Sequence, residues 1–473
     1  MNYKSILFFL GIYSLIVSFF SILNIFYSIY FESTAGLNSY LITFLISLII
    51  GCLFYFIGRN HYKDINLINQ IIFILSGFII IPFLITIPYY LSVYDINLIN
   101  SYFESVSGFT ATGFSIIQNV NDIDEPLILW RSSSQWMGGF LFLFATIGTI
   151  GSKQIKIKPA YLISGGASGK NFYNNFNYNF TKILVIYFLS TILAIFLFSL
   201  ANFRLLDSFN LAFTSVSSGG FIPNDNLNNI LTDNLKTFIF SITLLIPVFN
   251  FFLLHDIITR KFSLKNYQED FHLGSLILLL TLLFYFLFIP NEGFAGVLLA
   301  ITSSISTSGL STYSSNLDLS LFFILLTIVG GSLISTSSGF KYTRIYILLK
   351  ISYQEIYKLA KPSNIIDKNL YNTEVKIDDQ DVKIAFLVFL SFIASIFILS
   401  SILTLDNLSF ENSFKLSILT LTNTTTSTLY GIDNLSFFDL NNFTKLSLII
   451  FMILGKIEII TVIYLIKRFI FRE

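Results

Sequence analysis

Thr110-Ala111-Thr112-Gly113 is the stretch that decides the fold of this chain, because three stretches of the same kind follow it. They are Ser217-Ser218-Gly219-Gly220, Ser306-Thr307-Ser308-Gly309 and Thr422-Asn423-Thr424-Thr425. Each is a short turn, rich in hydroxyl groups, between two apolar segments. In membrane proteins, repeated backbone carbonyls can replace the water shell of a dehydrated cation. Four such turns therefore indicate the four walls of one ion filter.

The composition is that of a membrane protein. Hydrophobic residues make up 54% of the 473 residues, charged residues make up 12%, and the mean hydropathy is +0.75. A spanning helix needs about 20 apolar residues, and the stretches that qualify are 5–30, 38–58, 69–94, 127–150, 180–201, 236–258, 274–290, 319–334, 383–404 and 445–466. These stretches are too long and too uniformly apolar for barrel strands. We therefore predict an all-α polytopic membrane protein.

One pattern occurs four times after two leading transmembrane helices in residues 1–63. It consists of a span, a short segment, one of the four turns and a second span, and we place the pore repeats at 64–158, 178–265, 270–350 and 380–473. The short segments 97–109, 205–216, 294–305 and 409–421 cannot span a bilayer. We predict that they are re-entrant helices around a central pore. Each repeat starts and ends on the same side of the membrane, so the four are parallel repeats.

The distribution of charge predicts the orientation. No Lys or Arg occurs between Lys63 and Arg131 or between Lys265 and Lys341. By the positive-inside rule, the basic segments elsewhere are cytoplasmic, and we include Lys341 and Arg344 among them. We therefore predict a multi-pass protein of the cytoplasmic (inner) membrane whose filter mouths face outward.

The four turns align without gaps. Gly113, Gly220 and Gly309 share one position, and we expect them to supply dihedral angles that other residues resist. The hydroxyl three residues earlier can satisfy backbone groups left over where the short helix ends. The bulky residue after each glycine (Phe114, Phe221 or Leu310) would wedge the turn against neighbouring helices. The alternative is that these small residues only let helices pack closely, but four turns in register favour the filter.

Several motifs resemble one known family. They are Phe103-Glu104-Ser105-Val106-Ser107-Gly108-Phe109 before the first turn, Trp130-Arg131-Ser132-Ser133-Ser134-Gln135-Trp136-Met137-Gly138-Gly139 after it, the segment from Gly330-Gly331-Ser332 to Gly339-Phe340-Lys341, and Gly455-Lys456-Ile457-Glu458. In this order they are similar to the TrkH/Ktr/HKT superfamily of cation transporters, above all to its TrkH branch. The similarity covers essentially the whole chain.

The resemblance implies potassium uptake, or sodium transport in some branches, through one pore per subunit. It also implies homodimers and a cytosolic, nucleotide-binding regulatory subunit of the TrkA type. K⁺ would then be the transported ion, held at the filter carbonyls. We expect no organic cofactor in this chain, and membrane lipid rather than nucleic acid as a further partner. Glycine in the first turn, rather than serine, fits a potassium-selective member.

The fourth turn departs from the family pattern, because Thr425 stands where the family has glycine. A β-branched residue resists left-handed dihedral angles. Either this wall has an ordinary dihedral angle, or the threonine hydroxyl replaces a carbonyl ligand. Both alternatives leave open a Na⁺-permeable or Na⁺-coupled transporter.

The resemblance also implies a gate under the filter. In the family an intramembrane loop obstructs the pore, and the matching residues here are Gly330, Gly331, Ser335, Thr336, Ser337, Ser338 and Gly339. The family's arginine below the filter corresponds to Lys456. The alternatives are a close-packing patch for the loop and a lysine whose ammonium reaches the membrane interface for Lys456.

Two other classes of function were weighed. A membrane glycosyltransferase usually has large outer loops with clustered catalytic residues, whereas the outer loops here are short. We therefore predict that the chain is not an enzyme and has no catalytic residues. A non-conducting sensor or scaffold is favoured only if Thr425 disrupts the filter.

Overall fold

The structure is a computed structural model, and it describes residues 3–61, 67–93, 96–150, 176–258, 263–287, 293–312, 318–361, 369–371, 377–406, 408–432, 435–457 and 461–462. Within these ranges the chain forms sixteen α-helices. They are Tyr3–Tyr30, Thr34–Gly58, Leu67–Ser92, Leu98–Phe109, Glu125–Ile150, Phe176–Leu200, Leu205–Ser217, Asn234–Thr243, Phe251–Ile258, Gln268–Leu287, Gly293–Ile305, Ser320–Val329, Tyr342–Ala360, Asp379–Thr404, Phe410–Leu421 and Asn442–Ile457.

The predicted fold class is confirmed. The described residues are mainly helical, and six of their helices are long and apolar enough to cross a membrane. Because a bilayer core offers no water to bind backbone groups, a helix that satisfies its own N–H and C=O groups is the stable form of such segments. The boundaries of the four repeats stay a prediction.

Four short helices occupy the positions of the predicted short segments. We call Leu98–Phe109, Leu205–Ser217, Gly293–Ile305 and Phe410–Leu421 pore helices 1 to 4. Each has 12 or 13 residues, which at about 1.5 Å per residue is too short to span a bilayer. Asn97 begins the first, where its side-chain oxygen accepts from the backbone N–H of Asn100 at 2.8 Å. Ser409 caps the fourth in the same way.

The prediction of one continuous span at 236–258 is wrong. The chain forms two helices there, Asn234–Thr243 and Phe251–Ile258, with non-helical backbone between them. Pro247 lies in the break, where it has no N–H to donate and hinders a helix at the residue before it. The break leaves the carbonyls of Pro247 and Val248 free to accept from the backbone N–H groups of Ser337 and Ser332, at 3.1 and 2.8 Å.

The predicted span at 319–334 also ends early. Its helix stops at Val329, and Gly330 has a φ of 63°, which turns the chain out of the helix. Residues 330–341, which we call the intramembrane loop, are non-helical until the next helix begins at Tyr342. Non-helical backbone at membrane depth requires partners in the protein, and the broken segment around Pro247 supplies two of them. The last predicted span, 445–466, is a helix up to Ile457.

Candidate ion filter and gate

The four predicted filter turns meet at one place. A methyl group placed on Gly113 would lie 2.7 Å from Cα of Gly220 and 3.0 Å from Cβ of Thr425. One placed on Gly309 would lie 2.7 Å from the carbonyl oxygen of Thr425. The structure thus brings together the last residues of all four turns, which are separated in the sequence by about a hundred residues each. All the predicted filter residues are buried, and we call 110–113, 217–220, 306–309 and 422–425 filter loops 1 to 4.

The backbone of the four loops repeats one unusual conformation. The second residue of each loop has a left-handed φ of 50° to 61°, and none of the four is glycine: they are Ala111, Ser218, Thr307 and Asn423. A left-handed non-glycine residue costs about 1–2 kcal/mol, so its occurrence at the same position four times indicates a geometry imposed by the surroundings.

The predicted glycine conformations are only partly found. Gly113 and Gly309 have left-handed φ angles of 84° and 72°, whereas Gly220 and Thr425 do not have a positive φ. The expectation is therefore wrong for Gly220, where the glycine is needed for space rather than for its dihedral angle. A methyl group there would lie 2.5 Å from Cβ of Thr425. Thr425 has an ordinary dihedral angle, as the first alternative predicts, and the role of its hydroxyl stays open.

The first hydroxyl of each loop binds the end of its own pore helix. Thr110 Oγ1 donates to Val106 O at 2.8 Å, Ser217 Oγ to Phe213 O at 2.7 Å, and Thr422 Oγ1 to Ile418 O at 3.0 Å. Ser306 Oγ donates to Ser303 O at 3.1 Å. Val106 O and Ile418 O also accept from the backbone N–H groups of Thr110 and Thr422, and Ser303 O accepts from that of Ser308. The hydroxyls therefore add bonds at the helix ends, and the expectation that they satisfy carbonyls left over is wrong at these three.

The third position of the loops provides further stabilising contacts. Thr112 pairs with Thr110 at 2.7 Å, and Thr424 pairs with Thr422 at 2.9 Å through their hydroxyl groups. Loop 2 has Gly219 instead, where a methyl group would lie 2.2 Å from the side-chain amide of Gln135. The amide of Gln135 thus occupies the place of the missing hydroxyl. The sequence gives no signal for this substitution, because Gln135 lies on another helix.

The bulky residues after the turns are buried as predicted. Phe114 stacks on Phe437 with ring centroids 4.6 Å apart, and Phe221 lies 4.1 Å beneath the guanidinium of Arg131. Arg131 in turn forms a buried ion pair with Glu104 at 3.0 Å. This pair was not predicted from the sequence. The signal was an opposite charge on the next helix of the same predicted repeat.

An open cavity of about 370 Å³ adjoins the filter, with Gly113, Gly220, Gly309 and Thr425 in its wall. The intramembrane loop contacts other parts of the filter loops. Ser218 Oγ donates to Thr336 O at 3.1 Å, and Ser338 N donates to Thr307 Oγ1 at 3.0 Å. The last residues of the loops therefore face the cavity, whereas the second residues of loops 2 and 3 bind the intramembrane loop.

The predicted gate residues of the intramembrane loop are buried, except Gly339, which is half-buried. Gly330 and Gly339 have φ angles of 63° and 81°, and their backbones pass close to each other. A methyl group on Gly330 would lie 2.4 Å from Ser338 O. Gly331 N donates to Ser337 Oγ at 2.9 Å. Thr336 Oγ1 donates to Val216 O, in pore helix 2, at 2.8 Å. The loop is thus compact, held by hydrogen bonds among its polar groups, and lies directly against the filter loops.

Lys456 contacts the intramembrane loop. Its side chain is 0% exposed, and its ammonium donates to Ser338 Oγ at 3.0 Å and lies 4.6 Å from the ring centroid of Phe142. A lysine that reached the membrane interface would be exposed, so that alternative is wrong. Glu458 lies outside the described residues.

A second buried lysine was not expected. Lys341, which we assigned to the cytoplasmic basic segments, is instead enclosed by the intramembrane loop. Its ammonium donates to Ser335 O at 3.2 Å and Ser337 O at 2.6 Å, and it lies 5.4 Å from the ring centroid of Phe142. Two ammonium groups thus flank one aromatic ring. The sequence reasoning missed Phe142, because an apolar residue in an apolar helix carries no signal.

Comparisons with known proteins agree with this architecture. A family model for TrkH, described as a cation transport protein, matches residues 294–470. An uncharacterized cation transporter of Methanocaldococcus jannaschii is 27% identical over 409 residues, which cover 84% of this chain and 82% of the relative. The Trk system potassium uptake protein TrkG of Escherichia coli is 24% identical over 459 residues, covering 94% and 93%.

A solved structure shows the same fold. The crystal structure of the potassium transporter TrkH from Vibrio parahaemolyticus matches with a TM-score of 0.83 and 21% identity, covering 98% of each chain. The matching family model, the relatives and the structural neighbour are all described as transporters, so the prediction that this chain is not an enzyme is confirmed.

Proposed function

We propose, from the confirmed resemblance of this chain to the TrkH/Ktr/HKT superfamily of cation transporters, that it carries potassium ions across the cytoplasmic membrane. The observation that carries the proposal is that four filter loops meet at one place, and that the second residue of each has a left-handed φ. Such a ring presents backbone oxygens to a dehydrated ion. The choice of ion is supported by relatives that are named Trk system potassium uptake proteins.

The filter is the selective part of the pore in this proposal, and its mouth faces outward. K⁺ binds at the carbonyls of the four filter loops. The intramembrane loop and Lys456 form the gate, because they place a polar plug and a positive charge against the filter. A positive charge in a narrow, low-dielectric passage opposes a cation more strongly than it does in water.

The decisive experiment measures ion uptake by the purified protein in liposomes. We expect uptake of radioactive Rb⁺, competition by excess K⁺, and weaker competition by the same concentration of Na⁺. Equal competition by Na⁺ would favour the second candidate, a Na⁺-permeable transporter, for which the presence of Thr425 in loop 4 is the supporting observation. Absence of any alkali-cation uptake would contradict both.

We also propose the assembly that the family resemblance implies. The chain pairs as a homodimer and binds a cytosolic, nucleotide-binding subunit of the TrkA type. Light scattering in detergent measures the mass of the membrane component and should give two copies. Co-purification with a TrkA-type protein encoded by the same organism tests the second partner, and a monomer that binds no such protein would contradict this assembly.

A further inference from the structure

The side chain of Thr425 faces all three glycines at the cavity end of the filter. Its Cβ lies 2.5 Å from the position of a methyl group on Gly220 and 3.0 Å from that of one on Gly113. Its Cγ2 lies 2.8 Å from the position on Gly220 and 3.0 Å from that on Gly309. The space that the three glycines leave open is therefore occupied by the threonine of the fourth loop.

The hydroxyl of Thr425 is bound as well. It donates to the carbonyl oxygen of Gly113 at 2.9 Å, and the residue is only 7% exposed. Gly113 O is one of the oxygens that a filter would offer to a cation. In this arrangement it already has a hydrogen-bond partner, so a cation that reaches it has to replace the threonine hydroxyl.

The replacement is chemically feasible because a hydroxyl group both donates and accepts. A rotation about the Cα–Cβ bond, between staggered rotamers, releases Gly113 O and turns the lone pairs of Oγ1 toward the ion. The wall then offers a hydroxyl oxygen in addition to backbone oxygens. The methyl group has no such second role, and it only fills space.

We propose that the Thr425 side chain is a cap at the cavity end of the filter, which each alkali cation has to displace. It limits the rate of entry and is a specificity-determining residue for ion size. This proposal rests on the proposed function, because it assigns the rate-limiting contact to one side chain of the same pore.

The test compares three substitutions by their initial rates of Rb⁺ uptake into liposomes. Thr425→Gly removes the cap and should raise the rate at least about threefold. Thr425→Ser keeps the hydroxyl without the methyl group and should raise it less. Thr425→Val keeps the shape but offers the ion no oxygen, so the rate should fall below that of the wild type. Thr425→Gly should also admit Cs⁺ better relative to K⁺.

A matched control is Thr426→Gly, which removes the same side chain from the next residue. It should leave the order of preference among the ions unchanged. Size-exclusion profiles of each variant check folding, and the Ser and Val variants preserve the test if the glycine variant does not fold. Equal Rb⁺ rates for Thr425→Gly, Thr425→Val and the wild type would overturn the cap while leaving potassium transport intact. No uptake by the wild type itself would overturn the proposed function instead.

Discussion

The filter loops and the intramembrane loop lie against each other, yet they are held in different ways. The first hydroxyl of every filter loop binds a carbonyl of its own pore helix, and the filter loops contain no charged residue. The intramembrane loop binds other elements: the broken segment at Pro247, pore helix 2, filter loop 3 and the last helix. It also encloses the ammonium group of Lys341.

In the proposed function, this difference separates selection from gating. A loop held by its own helix keeps its geometry when neighbouring helices move, as a selective ring requires. A loop held by several other elements changes when any of them moves, as a gate requires. The contacts with Ser218 and Thr307 connect the two regions, so that a movement of the gate reaches the filter at its left-handed residues.

The largest effect is expected at the buried ion pair behind the filter. Arg131→Met leaves Glu104 as an unpaired buried charge, and removal of one partner of such a pair costs about 3–5 kcal/mol. We therefore expect a markedly lower midpoint of thermal unfolding in detergent. This tests whether the rigidity of the filter depends on more than its own local bonds.

The control for this pair is the double variant Arg131→Met/Glu104→Gln. The neutral amide has no charge to leave uncompensated and can still accept from the backbone N–H of Ile116, which binds Glu104 at 2.8 Å. The double variant should unfold at a higher temperature than Arg131→Met alone. If it unfolds at the same or a lower temperature, the cost does not come from the unpaired carboxylate.

The next effect concerns the selective region. Gly113→Ser places a side chain on a residue with a φ of 84°, 2.7 Å from Cα of Gly220. Both the dihedral angle and the contact force the loop to move, and we expect the preference for K⁺ over Na⁺ to fall about tenfold, which is about 1.4 kcal/mol. Reversal potentials in planar bilayers, or ion competition in liposomes, measure the ratio.

Gly293→Ser is a matched control for this substitution. Gly293 also has a left-handed φ, 74°, but a methyl group there meets nothing within 4 Å. It therefore carries the backbone strain without the contact in the filter. An unchanged selectivity in Gly113→Ser, or an equal loss in both variants, would contradict the assignment of Gly113 to the selective ring.

The next prediction concerns the positive charge of Lys456 in the proposed gate. Lys456→Ala removes the ammonium group that binds Ser338, and we expect Rb⁺ flux to rise about threefold because a positive barrier is lost. Lys456→Met keeps most of the side-chain volume and should raise flux similarly. A rise in Lys456→Ala alone would show that the space left by the shorter side chain, rather than the lost charge, increases the flux. No rise in either variant would indicate a structural lysine.

The sequence predicted the elements of the filter better than their contacts. The four turns and the short helices before them follow from residue type and spacing, which are local properties, whereas the intramembrane loop was expected only from the resemblance to a known family. The break at Pro247, the burial of Lys341 and the role of Gln135 behind Gly219 depend on segments distant in the sequence. The left-handed residues were missed because Ala111, Ser218 and Thr307 have no preference for that conformation.

The smallest effect is expected at Asn423, where a filter loop is bound to the last helix. Its side-chain amide donates to Thr112 Oγ1 and to Met452 O, both at 2.9 Å, and its φ is 50°. Asparagine tolerates this conformation better than alanine does. We expect Asn423→Ala to lower K⁺ selectivity about twofold and Asn423→Gly, which keeps the conformation but loses the amide, to lower it less.

If the two variants lose selectivity equally, the amide contacts matter more than the conformation. In that event loop 4 is held by the helix that carries Lys456, and the separation between a locally held filter and a gate held by other elements does not extend to the fourth wall.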